Sequence, residues 1–168
     1  MQSIIAAHNR KILSENNIED SEPEACNCRN LPCPVTDKKC RTKSVIYKAE
    51  VGQVNYIGMT GNTLKQRITC HRQTFRDEDK RNATTLSAYI WENTLNKNTK
   101  NETTEPNITW SILKTCQPYK PGNKMCDLCI SEKLFLVREQ NNTKNINKRN
   151  DIANKCCHKR SHYFSAIK

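Results

Sequence analysis

The sequence predicts an α+β fold: a small three-stranded antiparallel sheet flanked by helices, with metal-bound cysteine-rich elements at its margins. Three observations predict it. Two short apolar strand segments, residues 45–51 and 54–59, are separated only by Gly52-Gln53. The stretch that follows, residues 64–75, repeats its apolar side chains at helical spacing. Ten cysteines occur in 168 residues of only 35% apolar content. A core that small is commonly stapled by disulfides or metal.

Residues 1–25 form a leader. His8-Asn9-Arg10-Lys11-Ile12-Leu13 suits a short helix, and residues 15–24 are acidic, polar and linker-like. Residues 26–43 are a cysteine-rich lead-in. Cys26, Cys28, Cys33 and Cys40 place four sulfurs in a segment too polar to bury a core. That number suits one tetrahedral zinc ion, whose binding energy replaces the missing core. A split site, with Cys33 and Cys40 joined by a distant His, is the alternative.

The hairpin follows. A two-residue loop that begins with Gly suits a type II′ turn, because Gly takes positive φ there without strain. Val51 then faces Val54, Ala49 faces Tyr56 and Tyr47 faces Gly58. Side chains alternate with a period of two, so Tyr47 and Tyr56 share one face as diagonal neighbours, roughly 7–8 Å apart at the backbone.

Thr63 caps the next helix. At about 100° per residue, Ile68 and Phe75 lie within about 40° of Leu64. His71 falls inside that stripe and Arg67 at its edge. Burying such groups is costly unless a partner meets them. The plain structural reading is an Arg67–carboxylate pair and a hydrogen-bonded core imidazole at His71.

Residues 76–83 read as a charged loop and 86–95 as a packing helix, capped by the Thr84-Thr85 pair. Residues 96–106 read as a polar loop. Residues 108–116 alternate as the third strand, and 118–122 as a turn. Residues 126–139 are apolar nearly all round, which predicts a buried helix. Glu132 lies between Leu128 and Phe135 in that helix, and a buried carboxylate needs a cation, a metal or a proton. A salt bridge to Arg67 is its simplest structural explanation.

Residues 151–168 form a basic tail with Cys156-Cys157-His158 and His162. With Cys126-x-x-Cys129 they offer a second zinc site, with more ligands than one ion needs. Cys126, Cys129, Cys156 and His158 are the candidate set. Cys70 and Cys116 read as small apolar packing residues.

The formal net charge is +11, concentrated in residues 65–81 and 144–160. That pattern favours a polyanionic partner, held through its backbone and released by salt. No signal peptide and no stretch of transmembrane length is visible, so no membrane partner is expected. Reduced, metal-holding cysteines are therefore expected rather than disulfides.

Val45-Ile46-Tyr47, Tyr56-Ile57-Gly58 and Arg67-x-x-x-His71, with the downstream Glu132 and the late Asn147, resemble the GIY-YIG nuclease signature. Val45 stands where that signature has Gly, and the tyrosine is kept. The cysteine-rich lead-in, the Cys126-x-x-Cys129-x-x-Glu132-Lys133 run and Ile146-Asn147-Lys148-Arg149 resemble the endonuclease domain of Penelope-like retroelements. The similarity spans residues 26–160, with residues 44–150 as the nuclease core.

The resemblance implies a divalent-metal-dependent endonuclease that nicks target DNA. Glu132 would hold Mg²⁺ or Mn²⁺ and Arg67 would brace the scissile phosphate. Tyr47 would orient or deprotonate the attacking water. Tyr56 and His71 would complete the hydrogen bonding, and Asn147 would help order the site. It also implies an upstream reverse transcriptase domain of the same element, the chain being a piece or descendant of a larger polyprotein. A monomer acting in the nucleus is expected. The competing reading is a non-catalytic, zinc-stabilised nucleic-acid-binding module derived from such a nuclease. A secreted disulfide protein fits the missing signal peptide poorly.

Overall fold

The structure, a computed structural model, describes residues 26–28, 32–95 and 106–159. The leader, most of the polar loop before the third strand, His162 and the end of the tail lie outside the described residues. Strands β1 (Val45–Val51), β2 (Val54–Thr60) and β3 (Ile108–Thr115) form one antiparallel sheet in the order β2-β1-β3. The expected three-stranded antiparallel sheet with flanking helices is present.

The hairpin register is the one the loop length dictates: Val51 opposite Val54, Ala49 opposite Tyr56, Tyr47 opposite Gly58. Gly52 takes φ +59°, and no positive φ occurs at Gln53, as a type II′ turn requires. β3 carries an irregularity that the sequence did not signal. Ile46 pairs with Lys114 but Tyr47 with Ile112, so Leu113 is an extra residue on β3. Bulges of this kind kink a strand and increase its twist.

Helix α1 (Leu64–Arg76) starts at Thr63, whose side chain accepts from Gln66 N–H while the Gln66 side chain accepts from Thr63 N–H. This reciprocal pair satisfies two otherwise unpaired donors. Its buried residues are Leu64, Ile68, His71 and Phe75, the stripe the spacing predicts. Cys70 lies off that stripe and is exposed, so it does not pack as expected; Cys116 is buried. Within the supposed loop that follows, residues Glu78–Lys80 form a 3₁₀ turn. Helix α2 (Thr85–Ile90) is capped by Thr84 and continues as a π-helical turn over Trp91–Leu95.

α1 and α2 cover one face of the sheet, packing on Val45, Tyr47, Ala49, Tyr56 and Trp110. Helix α3 (Asp127–Glu139) covers the other, against Ile46 and Ile57. The alternation along β1 and β2 thus feeds two cores. α3 is not buried all round. Leu134 is 59% exposed and Val137 39%, whereas Lys133 is 2% exposed. One stripe, through Leu128, Cys129, Ser131, Lys133 and Leu136, faces inward, because a helix packed on one sheet face leaves its far side to water.

Each sheet edge is partly covered by a short segment, which pairs some of the strand groups that invite aggregation. At β3, Thr36 N–H donates to Trp110 C=O at 3.0 Å, with Val35 bridging Trp110. At β2, Asn55 N–H donates to Lys144 C=O at 2.8 Å and Ile146 N–H to Asn55 C=O at 2.9 Å. The short helix α4 (Arg149–Ala153) follows directly. No helix among the described residues is long and apolar enough to cross a membrane.

Candidate active site and metal-binding clusters

Tyr47, on the central strand, and His71, on the inner face of α1, meet with Oη and Nε2 2.8 Å apart. Arg67, one turn earlier on α1, donates from Nε to the same hydroxyl at 3.1 Å. Burial, aided by Arg67, pushes His71 down to about 3, so the imidazole is neutral. We assign Nε2 as the acceptor of the phenolic proton, since Arg67 can only donate. The Tyr47 hydroxyl is then donor to His71 and acceptor from Arg67. Trp110 packs against the pair from β3, its ring centroid 5.7 Å from Tyr47 and 5.5 Å from His71.

Tyr47 is fully buried. Burial raises its pKa to about 12, outweighing the opposing pull of Arg67. The neighbouring guanidinium therefore does not make it a ready base at neutral pH. Tyr56 sits beside it, ring centroids 6.4 Å apart, and burial raises its pKa too. Its hydroxyl makes no hydrogen bond to another described residue, and its ring packs on Tyr47 and His71.

Gly58 makes this packing possible. A Cβ at Gly58 would lie 2.5 Å from Tyr47 Oη and 2.9 Å from the Tyr56 ring. Real Cβ atoms do not approach that closely, so the two tyrosines occupy space that only glycine leaves free.

Glu132 projects from α3. Burial raises its carboxyl pKa; Lys133 first, and Arg67 more weakly, pull the other way. In turn its charge raises the pKa of both Tyr47 and Tyr56, after the larger effect of burial. Its ion pair is with Lys133, Nζ 3.5 Å from Oε2; among the described residues none forms with Arg67. The Glu132–Arg67 salt bridge, the plain structural alternative to a metal, does not form among the described residues; α3 and α1 pack on opposite faces of the sheet. The Arg67 Nη groups consequently have no partner among the described residues.

Asn147 reaches β2 from the tail. Its carboxamide binds Ile57, between Tyr56 and Gly58, accepting from N–H at 2.7 Å and donating to C=O at 2.9 Å. Asp151 Oδ2 receives Asn147 Nδ2 at 3.3 Å, Lys148 N–H at 2.9 Å and Thr85 Oγ1 at 3.3 Å. Asp151 and the buried Lys133 were not among the candidates. Lys133 was legible in principle, since it lies four residues after Cys129 and three before Leu136, on the inner stripe of α3.

The cysteines gather into two clusters. In each set, Cys26, Cys28, Cys33 and Cys40, and Cys126, Cys129, Cys156 and His158, the ligand atoms lie within 4.8 Å of one another. Either set can hold a metal ion. A tetrahedral ion with metal–sulfur bonds of about 2.3 Å spaces its sulfurs by about 3.8 Å. Cys28 and Cys40 Sγ are 3.9 Å apart, and Cys126 Sγ is 3.2 Å from His158 Nδ1. The first set comes from one stretch of sequence, and among the described residues no His joins Cys33 and Cys40 in the alternative split site. Cys157 adds a surplus donor to the second, its Sγ 3.4 Å from that of Cys129 and 3.2 Å from His158 Nδ1. In the first cluster, hydrogen bonding from Cys28 lowers Cys26 to about 7, while burial pushes Cys40 up to about 12.

Comparison with protein-family models, with curated proteins and with solved structures finds no match. The residues themselves carry the functional reading.

Proposed function

We propose that this chain is a divalent-metal-dependent DNA endonuclease of the GIY-YIG type, nicking DNA for a Penelope-like retroelement. One observation carries the reading. The Tyr47–His71–Arg67 cluster is assembled on one sheet face, with the Arg67 Nη fork unused among the described residues. A guanidinium held at Nε and free at both Nη atoms presents the geometry that suits two phosphate oxygens.

The roles follow from the contacts. Arg67 binds the phosphate and, fixed by Tyr47, does so in one orientation. Tyr47 accepts from Arg67 and so fixes the guanidinium that faces the phosphate, while His71 accepts the phenolic proton. Glu132 fits a divalent ion. It is a largely buried carboxylate whose nearest cation, Lys133, stands at 3.5 Å, and Mg²⁺ commonly takes only one or two protein carboxylates. Such an ion supplies positive charge at the phosphate, and Glu132 is its ligand from this chain. Zinc in the two sulfur-rich clusters is structural, since all four ligand positions come from the protein.

Basic side chains at Arg76, Lys80, Arg81, Lys144, Lys148, Arg149, Lys155 and Lys159 are exposed. They suit a nucleic-acid backbone, with affinity that falls as salt rises. The chain works as a nuclear monomer with one site, and is fused to, or derived from, a reverse transcriptase polyprotein.

The complete burial of Tyr47 favours a second reading, a zinc-stabilised nucleic-acid-binding module without catalysis. The deciding experiment is cleavage of supercoiled plasmid in Mg²⁺ or Mn²⁺ at low salt. The nuclease reading expects conversion to open circle by wild type and none by Glu132→Ala. Equal cutting by both proteins removes Glu132 from the mechanism. DNA binding by both without cutting establishes the binding module instead.

A further inference from the structure

A lysine seldom lies with its ammonium inside a protein. Its long stem normally lets the charge reach water, and desolvating it costs several kcal/mol even when it is partnered. Lys133 is 2% exposed. Its Nζ donates to the Asp151 backbone carbonyl and stands 3.5 Å from Glu132 Oε2. If packing were the only requirement on the inner stripe of α3, an apolar side chain of this length would meet it without the desolvation cost.

The anchor is itself fixed. Asp151 is held through its carboxylate by Thr85 from α2, by Asn147 from the strap beside β2 and by Lys148 N–H at the start of α4. Asn147 in turn holds Ile57, the neighbour of Tyr56. A polar chain therefore runs from the strand that bears Tyr56 to the Lys133 ammonium, and Glu132 is the charged group at its end. Metal affinity depends on partners that fix the orientation of a ligating carboxylate, and their loss typically weakens it roughly 10- to 100-fold.

We propose that Lys133 is a positioning residue: its ammonium, anchored on the Asp151 carbonyl, holds the Glu132 carboxylate in one orientation for its metal ion. The inference rests on the reading of Glu132 as the ligand of a divalent ion.

The test uses the full zinc-loaded chain and Mn²⁺ as the probe, with binding measured directly by electron paramagnetic resonance. Wild type, Lys133→Met, Lys133→Arg and Glu132→Gln are compared, and each is checked by thermal melting. Lys133→Met is expected to bind Mn²⁺ roughly 10- to 100-fold more weakly and to recover plasmid nicking at high Mn²⁺. Lys133→Arg, which keeps a buried donor and charge, is expected to restore most of the affinity. Unchanged or tighter Mn²⁺ binding by Lys133→Met overturns the proposal while leaving the nuclease reading intact. So does loss of folding in both Lys133 variants, which assigns the residue to the core alone. Mn²⁺ binding that is identical in wild type and Glu132→Gln removes the metal role of Glu132, and the proposal falls with it.

Discussion

Asn147 holds both backbone groups of Ile57 with one carboxamide, accepting at 2.7 Å and donating at 2.9 Å. A side chain here serves as the next strand of the sheet, at the residue between Tyr56 and Gly58. On the proposed reading, this is the contact through which Asn147 would order the site. Leaving a buried backbone group unpaired costs about 1–3 kcal/mol. Asn147→Ala should therefore lower unfolding stability by about that much and reduce nicking. Asn147→Asp, which keeps the acceptor and loses the donor, should do so as well, because its charge then faces the Ile57 carbonyl. Denaturant midpoints for both variants equal to wild type would show that the strap adds nothing.

Gly58→Ala should be more damaging than its single methyl group suggests. The new Cβ would meet Tyr47 Oη at 2.5 Å, and that hydroxyl is tied to both Arg67 and His71. Overpacking of a filled core costs typically about 1–3 kcal/mol. The expected result is a lower melting temperature together with loss of nicking. A Gly61→Ala control, whose Cβ would meet only Leu128 at 4.0 Å, should leave nicking near wild type.

The buried His71 sets a pH dependence. Its folded-state pKa lies near 3, against an ordinary 6.5, because of burial and then Arg67. Between those values the unfolded chain binds a proton that the folded chain refuses, so the stability contribution is complete above pH 6.5 and lost as pH falls toward 3. Glu132, whose carboxyl is raised by burial, has the opposite sign: its destabilisation is relieved as pH falls through its folded pKa. Melting curves of wild type and His71→Gln, recorded from pH 7 down to pH 4 (values chosen to span about this window), should converge on acidification. Parallel curves would mean that His71 titrates as an exposed imidazole.

Metal removal should disturb the candidate site from a distance. The first cysteine cluster is bonded to the start of α1: Cys40 C=O accepts from Lys65 N–H at 2.7 Å and Thr42 C=O from Leu64 N–H at 3.0 Å. Arg67 lies in that same turn of helix. Two zinc ions per chain are expected by elemental analysis, one for each cluster, and one after Cys28→Ser. Chelation should lower both helicity and nicking. A zinc content below one per chain in freshly purified wild type would contradict the structural role.

Much of this arrangement was legible along the chain. The Gly52-Gln53 loop allowed one register, which put Tyr47 opposite Gly58. The spacing of Leu64, Ile68, His71 and Phe75 defined the inner face of α1. The first sulfur cluster was legible because its four cysteines are close neighbours in sequence. Less legible was α3, where nearly continuous apolarity hid which side faced the sheet; Leu134 and Val137 proved exposed while Lys133 proved buried.

What the sequence alone determined is therefore local: strand alternation, helix faces, caps and turn, all governed by backbone periods and by residues within a few positions of one another. Only the tertiary structure decided that Glu132 pairs with Lys133 and not Arg67, that Cys157 stands beside the Cys126, Cys129, Cys156 and His158 set as a surplus donor, and that Asn147 becomes a strand neighbour for Ile57. Each of these joins segments far apart in the chain. Their meeting depends on how two helical layers and two edge straps settle on one sheet, which no short-range period encodes.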